Sequence, residues 1–314
     1  MRAMFTTSTI VLVGFVFLPF FLVTLTSLAI FRRNACRRRS PLTVRLLRGP
    51  GEGLRSDIEK LSEKIDNSVF NLLVISLPPL ILLGVFAYFG GNKVQYWQLA
   101  LVCIVYVSLI LWAIKNFLQL LEQRRNLYLG LDCELAVGQE LNFLMRDGYY
   151  VYHDFPAESF NIDHVAVGPN GIFAIETKGR GKPDKGRGKH DATVTFDGNA
   201  LKFPDWEDRK FLEQARRQAS WLKSWVSKAI GEDVDVQAVL ALPGWYIERK
   251  AKSDVIIYNG KCPQAWIRAQ REERLNDNQI KRINHQLEQR CRDVEPTAYR
   301  KRKNYLGARS NLIK

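Results

Sequence analysis

The chain has 314 residues, with 46 Lys and Arg against 32 Asp and Glu, giving a net charge of +14. That length allows more than one domain. Its five cysteines, Cys36, Cys103, Cys133, Cys262 and Cys291, are odd in number and no two have zinc-ligand spacing, so neither a disulfide framework nor a zinc site is indicated, which fits a reducing compartment.

Residues 5–31 form an uncharged, mostly apolar run that ends in Arg32-Arg33 and then Arg37-Arg38-Arg39. Residues 69–91 and 94–114 are two further uncharged runs, separated by Asn92-Lys93. About 20 apolar residues span a bilayer, so each run predicts a transmembrane helix. Pro78-Pro79 in the second run is tolerated in a membrane helix. A cleaved signal peptide is the rival reading of the first run; the charged flank following it, rather than preceding it, speaks for a span. The stretch 32–68 holds ten Lys and Arg, and the link between the second and third runs holds one. Positive loops stay in the cytoplasm. The expected topology is an N-terminus outside, 32–68 inside, 91–95 outside, and everything after about residue 115 inside. The chain is therefore read as a multi-pass protein of a bacterial inner membrane with a cytoplasmic soluble part.

Within 32–68, Ile58, Leu61 and Ile65 recur at helical spacing and predict a short amphipathic helix. Residues 115–130 continue the third span as a charged helix. A second helix follows with Leu135, Leu141, Phe143 and Leu144 on its apolar side and a stop at Asp147-Gly148. "YYVYHDF" predicts a strand. "NIDHVAVGPNGIFAIETKG", 161–179, predicts a hairpin around Gly168-Pro169-Asn170-Gly171. Closing that turn with Val167 opposite Ile172 places Asp163 directly opposite Glu176, on one face with Lys178. Opposed like charges about 5 Å apart repel, so something positive belongs between them. A divalent cation with oxygen ligands and Lys178 alone are the two options.

"GRGKPDKGRGKH", ending at His190, has the composition of a loop. A short strand "ATVTFDG" follows. Next comes a strong helix, 205–231, with Phe211, Leu212, Ala215, Ala219, Leu222 and Val226 in register. "DVQAVLALPG" and "SDVIIYNG" predict two more strands, the first central. Mixed strands with helices on their faces make this an α/β or α+β domain. The tail from Arg268 carries thirteen basic and six acidic residues, with Ile280, Ile283 and Leu287 aligned on a helix. Such a tail contacts nucleic acid or anionic lipid, or is only solvated. The expected division is 1–31 first span, 32–68 basic linker, 69–118 second and third spans, 119–260 soluble domain and 261–314 basic tail.

The ordered set Glu140, Asp163, Glu176, Lys178 and Gln214 has a chemical logic. Two carboxylates hold Mg²⁺ or Mn²⁺, which polarises a phosphoryl oxygen and lowers the pKa of bound water, while an ammonium stabilises developing charge. Glu140 completes the acidic shell, and Gln214 positions Lys178 or a water. His164 points to the other face and is read as a core histidine. Trp206, Trp221 and Trp225 are read together as packing. "AVGQELNFLM", "FNIDHVAVGPNGIFAIETKG", "FDG" and "LEQARRQASWLKSW" resemble the nuclease-related domain, NERD, a branch of the PD-(D/E)xK restriction-endonuclease-like superfamily. The resemblance covers roughly 131–260. It implies an αβββαβ restriction-endonuclease-like core, a mixed sheet flanked by helices, behind the three spans. It matches Asp163, Glu176 and Lys178 to the motif, Glu140 to the family's helical Glu, and Gln214, with Gln218 as competitor, to its later Gln. Ile162 stands where the superfamily has Pro. The implied activity is Mg²⁺- or Mn²⁺-dependent hydrolysis of nucleic acid, DNA first. The alternative is a non-catalytic binding module that keeps the fold.

Overall fold

The structure is a computed structural model that describes residues 22–27, 29–30, 41–89, 96–183, 191–269 and 274–296. The chain divides into two units, Met1–Leu46 with Asp293–Lys314, and Leu47–Arg292. In the first, residues 22–27 and 29–30 are helical, and Leu46 pairs with Val294 through backbone hydrogen bonds of 2.8 and 3.2 Å. Most of the expected first span, the 91–95 link and the basic run at 300–303 lie outside the described residues.

The second unit opens with two long helices. α1, Glu52–Phe89, runs without a break through the expected boundary at 68/69 and through Pro78-Pro79. Ile58, Leu61 and Ile65 form its buried stripe, as their spacing predicts. α2, Tyr96–Asn142, continues from the third apolar run across the 118/119 boundary into the soluble part. Among the described residues one helix, Cys103–Asp147, is long and apolar enough to cross a membrane by length and composition. Its first half exposes apolar side chains such as Ile104, Leu111 and Trp112, each more than half exposed. A 3-10 turn, Phe143–Asp147, ends at Gly148 with a φ of +82°, where the sequence marks the stop.

Five strands then make a mixed sheet in the order β1-β2-β3-β7-β9. β1 (Tyr150–Pro156), β2 (Asn161–Gly168) and β3 (Gly171–Thr177) are antiparallel neighbours, and β7 (Val236–Ala241) runs parallel to both β3 and β9 (Ile256–Tyr258). α3, Lys210–Ile230, covers one face together with the later helix Asp277–Cys291. The end of α2 covers the other, where Val137, Leu141 and Leu144 meet Ala166, Phe173 and Ile175. Both faces are buried, so β3 is apolar throughout until Glu176. The order helix, three strands, helix, strand agrees with the expectation.

A second sheet, order β6-β5-β4-β8, is absent from the sequence reading. It joins β4 (Thr193–Phe196), β5 (Leu201–Lys202), β6 (Glu207–Asp208) and β8 (Tyr246–Arg249). The expected helix at 205 consequently begins five residues later, at Lys210. After β9 come α4, Gln264–Arg268, and α5, the Asp277–Cys291 helix already met on the sheet. α5 starts at a capping box formed by Asn276 and Gln279 and buries Ile280, Ile283 and Leu287 against the sheet, so this part of the tail is core.

Candidate active site

The hairpin closes in the predicted register, with Gly168 opposite Gly171 and Val167 opposite Ile172. Gly168 is required there, because a Cβ would stand 2.3 Å from the Tyr149 ring. The ladder runs to His164 opposite Ile175. One step further, the Asp163 carboxylate takes over from the backbone, and its Oδ2 accepts from the Thr177 N–H at 2.7 Å. Asp163 and Glu176 thus meet at the C-terminal end of β3.

Glu176 is 2 % exposed and held from three sides. Its Oε1 accepts from Gln214 Nε2 at 2.7 Å and lies 2.5 Å from Lys178 Nζ, and its Oε2 accepts from Gln218 Nε2 at 2.5 Å. Gln214 and Gln218, competitors in the sequence, are one turn apart on α3, so both reach Glu176; the Gln214 amide meets Glu176 rather than Lys178. The two amides and the ammonium fix one carboxylate rotamer. Lys178 Nζ also stands 5.5 Å from the Phe211 ring.

A third carboxylate, one that the sequence does not single out, lies near these two: Glu134. Glu134 lies on α2 in the buried stripe of Leu131, Val137 and Leu141, and is itself buried. Burial first, then the charges of Asp154 and Glu176, push its pKa up to about 8, while Lys178 opposes them. Burial, then Glu176 and Glu134, hold Asp163 well above the usual carboxylate range against the Thr177 N–H and Lys178. These shifts record negative charge that Lys178 does not fully offset. Glu140 points elsewhere: its Oε2 accepts from the Cys262 N–H at 3.3 Å, and it is no source of the Asp163 or Glu134 shifts. Six residues on a helix turn a side chain by about 240°, which separates the two acids.

Asp154 is a further residue without a sequence signal. By register it sits opposite Asp163, with a φ of +48°, and the β1–β2 ladder skips it between His153 and Phe155. Its carboxylate binds Arg48 at 2.9 Å, the Gly53 N–H at 2.9 Å and Asn161 Nδ2 at 2.9 Å. It therefore ties the first turn of α1 to the sheet beside the acids. His164 is fully buried, as read from its strand parity, with Nδ1 2.9 Å from His153 Nδ1; burial keeps both rings neutral. His190 lies outside the described residues, with the rest of the basic loop from 184 onward.

Residues 129–243 match the family model described as nuclease-related domain. The match takes in the end of α2, β1 to β3, α3 and β7, and with them Glu134, Glu140, Asp154, Asp163, Glu176, Lys178, Gln214 and Gln218. The mixed sheet with helices on both faces is consistent with a restriction-endonuclease-like core. No curated protein and no solved structure matches the chain.

The donors fit a hard cation in type. Asp163 Oδ1 and the Glu134 carboxylate accept no hydrogen bond among the described residues, and neighbouring acids add to burial in raising both pKa values. Among the described residues, however, no group of three or more His, Cys, Asp or Glu is spaced to hold an ion unaided. An ion here would keep several waters, as Mg²⁺ does.

Proposed function

We propose that the chain is a membrane-anchored, divalent-metal-dependent nuclease that hydrolyses nucleic-acid phosphodiesters, DNA first, at the cytoplasmic face. The observation that carries this reading is the convergence of Asp163, Glu176 and Lys178 at one strand end, with Glu176 held by Gln214 and Gln218. Asp163 and Glu176 would hold Mg²⁺ or Mn²⁺, with Glu134 reaching it through water. The bound ion would polarise a phosphoryl oxygen and lower the pKa of a water ligand. Gln214 and Gln218 keep Glu176 in one orientation, so no reorganisation is needed when substrate arrives. Lys178 leaves Glu176 for the phosphoryl oxygen on which charge develops.

One observation favours a second reading. Glu176 already has three donors, and a protein with its charges satisfied in this way serves as a non-catalytic nucleic-acid or protein platform on the same fold. The full-length protein in detergent, incubated with plasmid, linear and single-stranded substrates with and without Mg²⁺ or Mn²⁺, separates the two. Metal-dependent cleavage is expected, with Asp163→Asn and Glu176→Gln each lowering the rate about 1,000-fold or more. Lys178→Ala is expected to cost about 100-fold while the metal-induced rise in Tm persists, because the ligands remain. No cleavage with any substrate or metal, together with no Tm shift, would sink the nuclease reading.

A further inference from the structure

The three tryptophans read together as packing separate in the structure. Trp221 and Trp225 stack on one another beside Phe155, beneath the Arg290 guanidinium. Trp206 is 38 % exposed at the tip of the β5–β6 hairpin, whose turn is closed by the Phe203 N–H on the Trp206 carbonyl at 2.8 Å. Phe203, buried, lies flat against the indole, with centroids 4.0 Å apart and planes 4° from parallel. The ring is therefore held rigid before any ligand arrives.

Its neighbours lead back to the acids. Arg180, two residues after Lys178, places its guanidinium 5.8 Å from the Trp206 ring and 4.9 Å from Phe211, and Lys178 Nζ stands 5.5 Å from that same Phe211. Lys182 lies 5.8 Å from the Trp245 ring, whose Nε1–H donates to the Arg180 carbonyl at 3.3 Å. Cations alternating with aromatic faces, running outward from the candidate site, are the arrangement by which proteins hold single strands: bases stack and phosphates meet the charges. Acids flanking the indole in the chain sharpen the choice. Asp205 is exposed next to Trp206, and Glu207 follows, paired with Arg209 at 3.2 Å. One backbone can follow Arg180 and Lys182, whereas exposed acid beside the indole disfavours the second phosphate backbone that a duplex would bring.

We propose that Trp206 and Arg180 form a base-stacking subsite for single-stranded nucleic acid, taking a base next to the phosphate at Lys178. The inference rests on the hydrolytic reading for that phosphate but not for the stacking itself. A base displaces the guanidinium from the indole, because stacking on a rigid ring outweighs a surface cation–aromatic contact, and Arg180 turns to the adjoining phosphate.

The test uses the full-length protein in detergent with EDTA, so that binding is read without cleavage, and fluorescein-labelled oligo-dT and duplex DNA as probes. Trp206→Ala should weaken oligo-dT binding roughly ten-fold and leave duplex binding unchanged. Trp206→Phe should retain most of the affinity while losing the quenching of intrinsic fluorescence that oligo-dT causes in the wild type. Arg180→Ala should reduce the salt slope by about one. Equal losses on both probes, or quenching that survives in Trp206→Phe, would overturn the subsite; the second readout holds even if Trp206→Ala fails to fold. Trp206-dependent binding without cleavage in Mg²⁺ would overturn the nuclease reading alone. Cleavage with oligo-dT affinity indifferent to Trp206 would overturn this inference alone.

Discussion

Burial and the charges of Asp154 and Glu176 raise the Glu134 pKa to about 8, so the folded protein keeps a proton there that the unfolded chain has released. The group's contribution to stability is full below its unfolded pKa, near 4.5, and is lost as pH rises through the folded value. Glu134→Gln removes that loss. Without metal the variant should be more stable than the wild type at pH 7 by about 2 kcal/mol, with almost no difference at pH 4.5. Thermal melting at several pH values in EDTA measures the gap; a gap that shrinks with rising pH would contradict it. The sequence hides Glu134 through helix phase. The resemblance matches Glu140, and the apolar face read as Leu135, Leu141, Phe143 and Leu144 gives no reason to look at Glu134; yet Phe143 is 46 % exposed and the buried stripe passes through Leu131, Val137 and Leu141. Because α2 arrives unbroken from the apolar run, no cap marks where counting should start. Asp163, Glu176 and Lys178 are legible because a tight turn fixes their register and strand parity does the rest.

The strand β1 and the first turn of α1 are joined through a single side chain. Asp154 accepts from the Gly53 N–H in place of a local cap and neutralises Arg48, so one carboxylate satisfies a helix N-terminus and a half-buried guanidinium. Asp154→Ala should cost about 3 kcal/mol, since it takes a buried acceptor from Arg48, the Gly53 N–H and Asn161 Nδ2 together, and Asp154→Asn about 1 kcal/mol, since it keeps an acceptor and tolerates the positive φ. Hydrogen exchange at Gly53 to Asp57 should quicken in the Ala variant before the rest of the domain loosens. Uniform quickening would mean that Asp154 holds the sheet rather than the helix. None of this is written in "YYVYHDF", because the residue that bends the strand is recognised only by what it binds 101 and 106 residues earlier in the chain. The second sheet escapes for a similar reason. β5 and β6 have two residues each, too few for alternation, and β4 pairs in parallel with β8 some fifty residues away.

Under the proposed membrane anchoring, the two long helices link the sheet to the apolar runs. From the end of the apolar run at 114 to Glu134 is twenty residues of continuous helix, about 30 Å at 1.5 Å per residue, so a span ending at 114 would leave room for a nucleic-acid strand between the bilayer and the acids. That geometry serves a nuclease only if the domain faces nucleic acid, and the charge distribution argues that it does. Ten Lys and Arg in 32–68, against one in the 91–95 link, favour a cytoplasmic linker, an external turn between the second and third spans, and a cytoplasmic domain. A fluorescent protein fused after Lys314 should therefore fluoresce, and an alkaline phosphatase fused at the same place should be silent, with the reverse pattern for fusions in the 91–95 link. Replacing the Arg32, Arg33 and Arg37 to Arg39 cluster by Gln should weaken the bias and give mixed reporter signals, because the charges nearest a span set its orientation. A domain that reports from outside in the wild type would leave the acids on the wrong side of the membrane for intracellular DNA, and the substrate would have to be sought there instead.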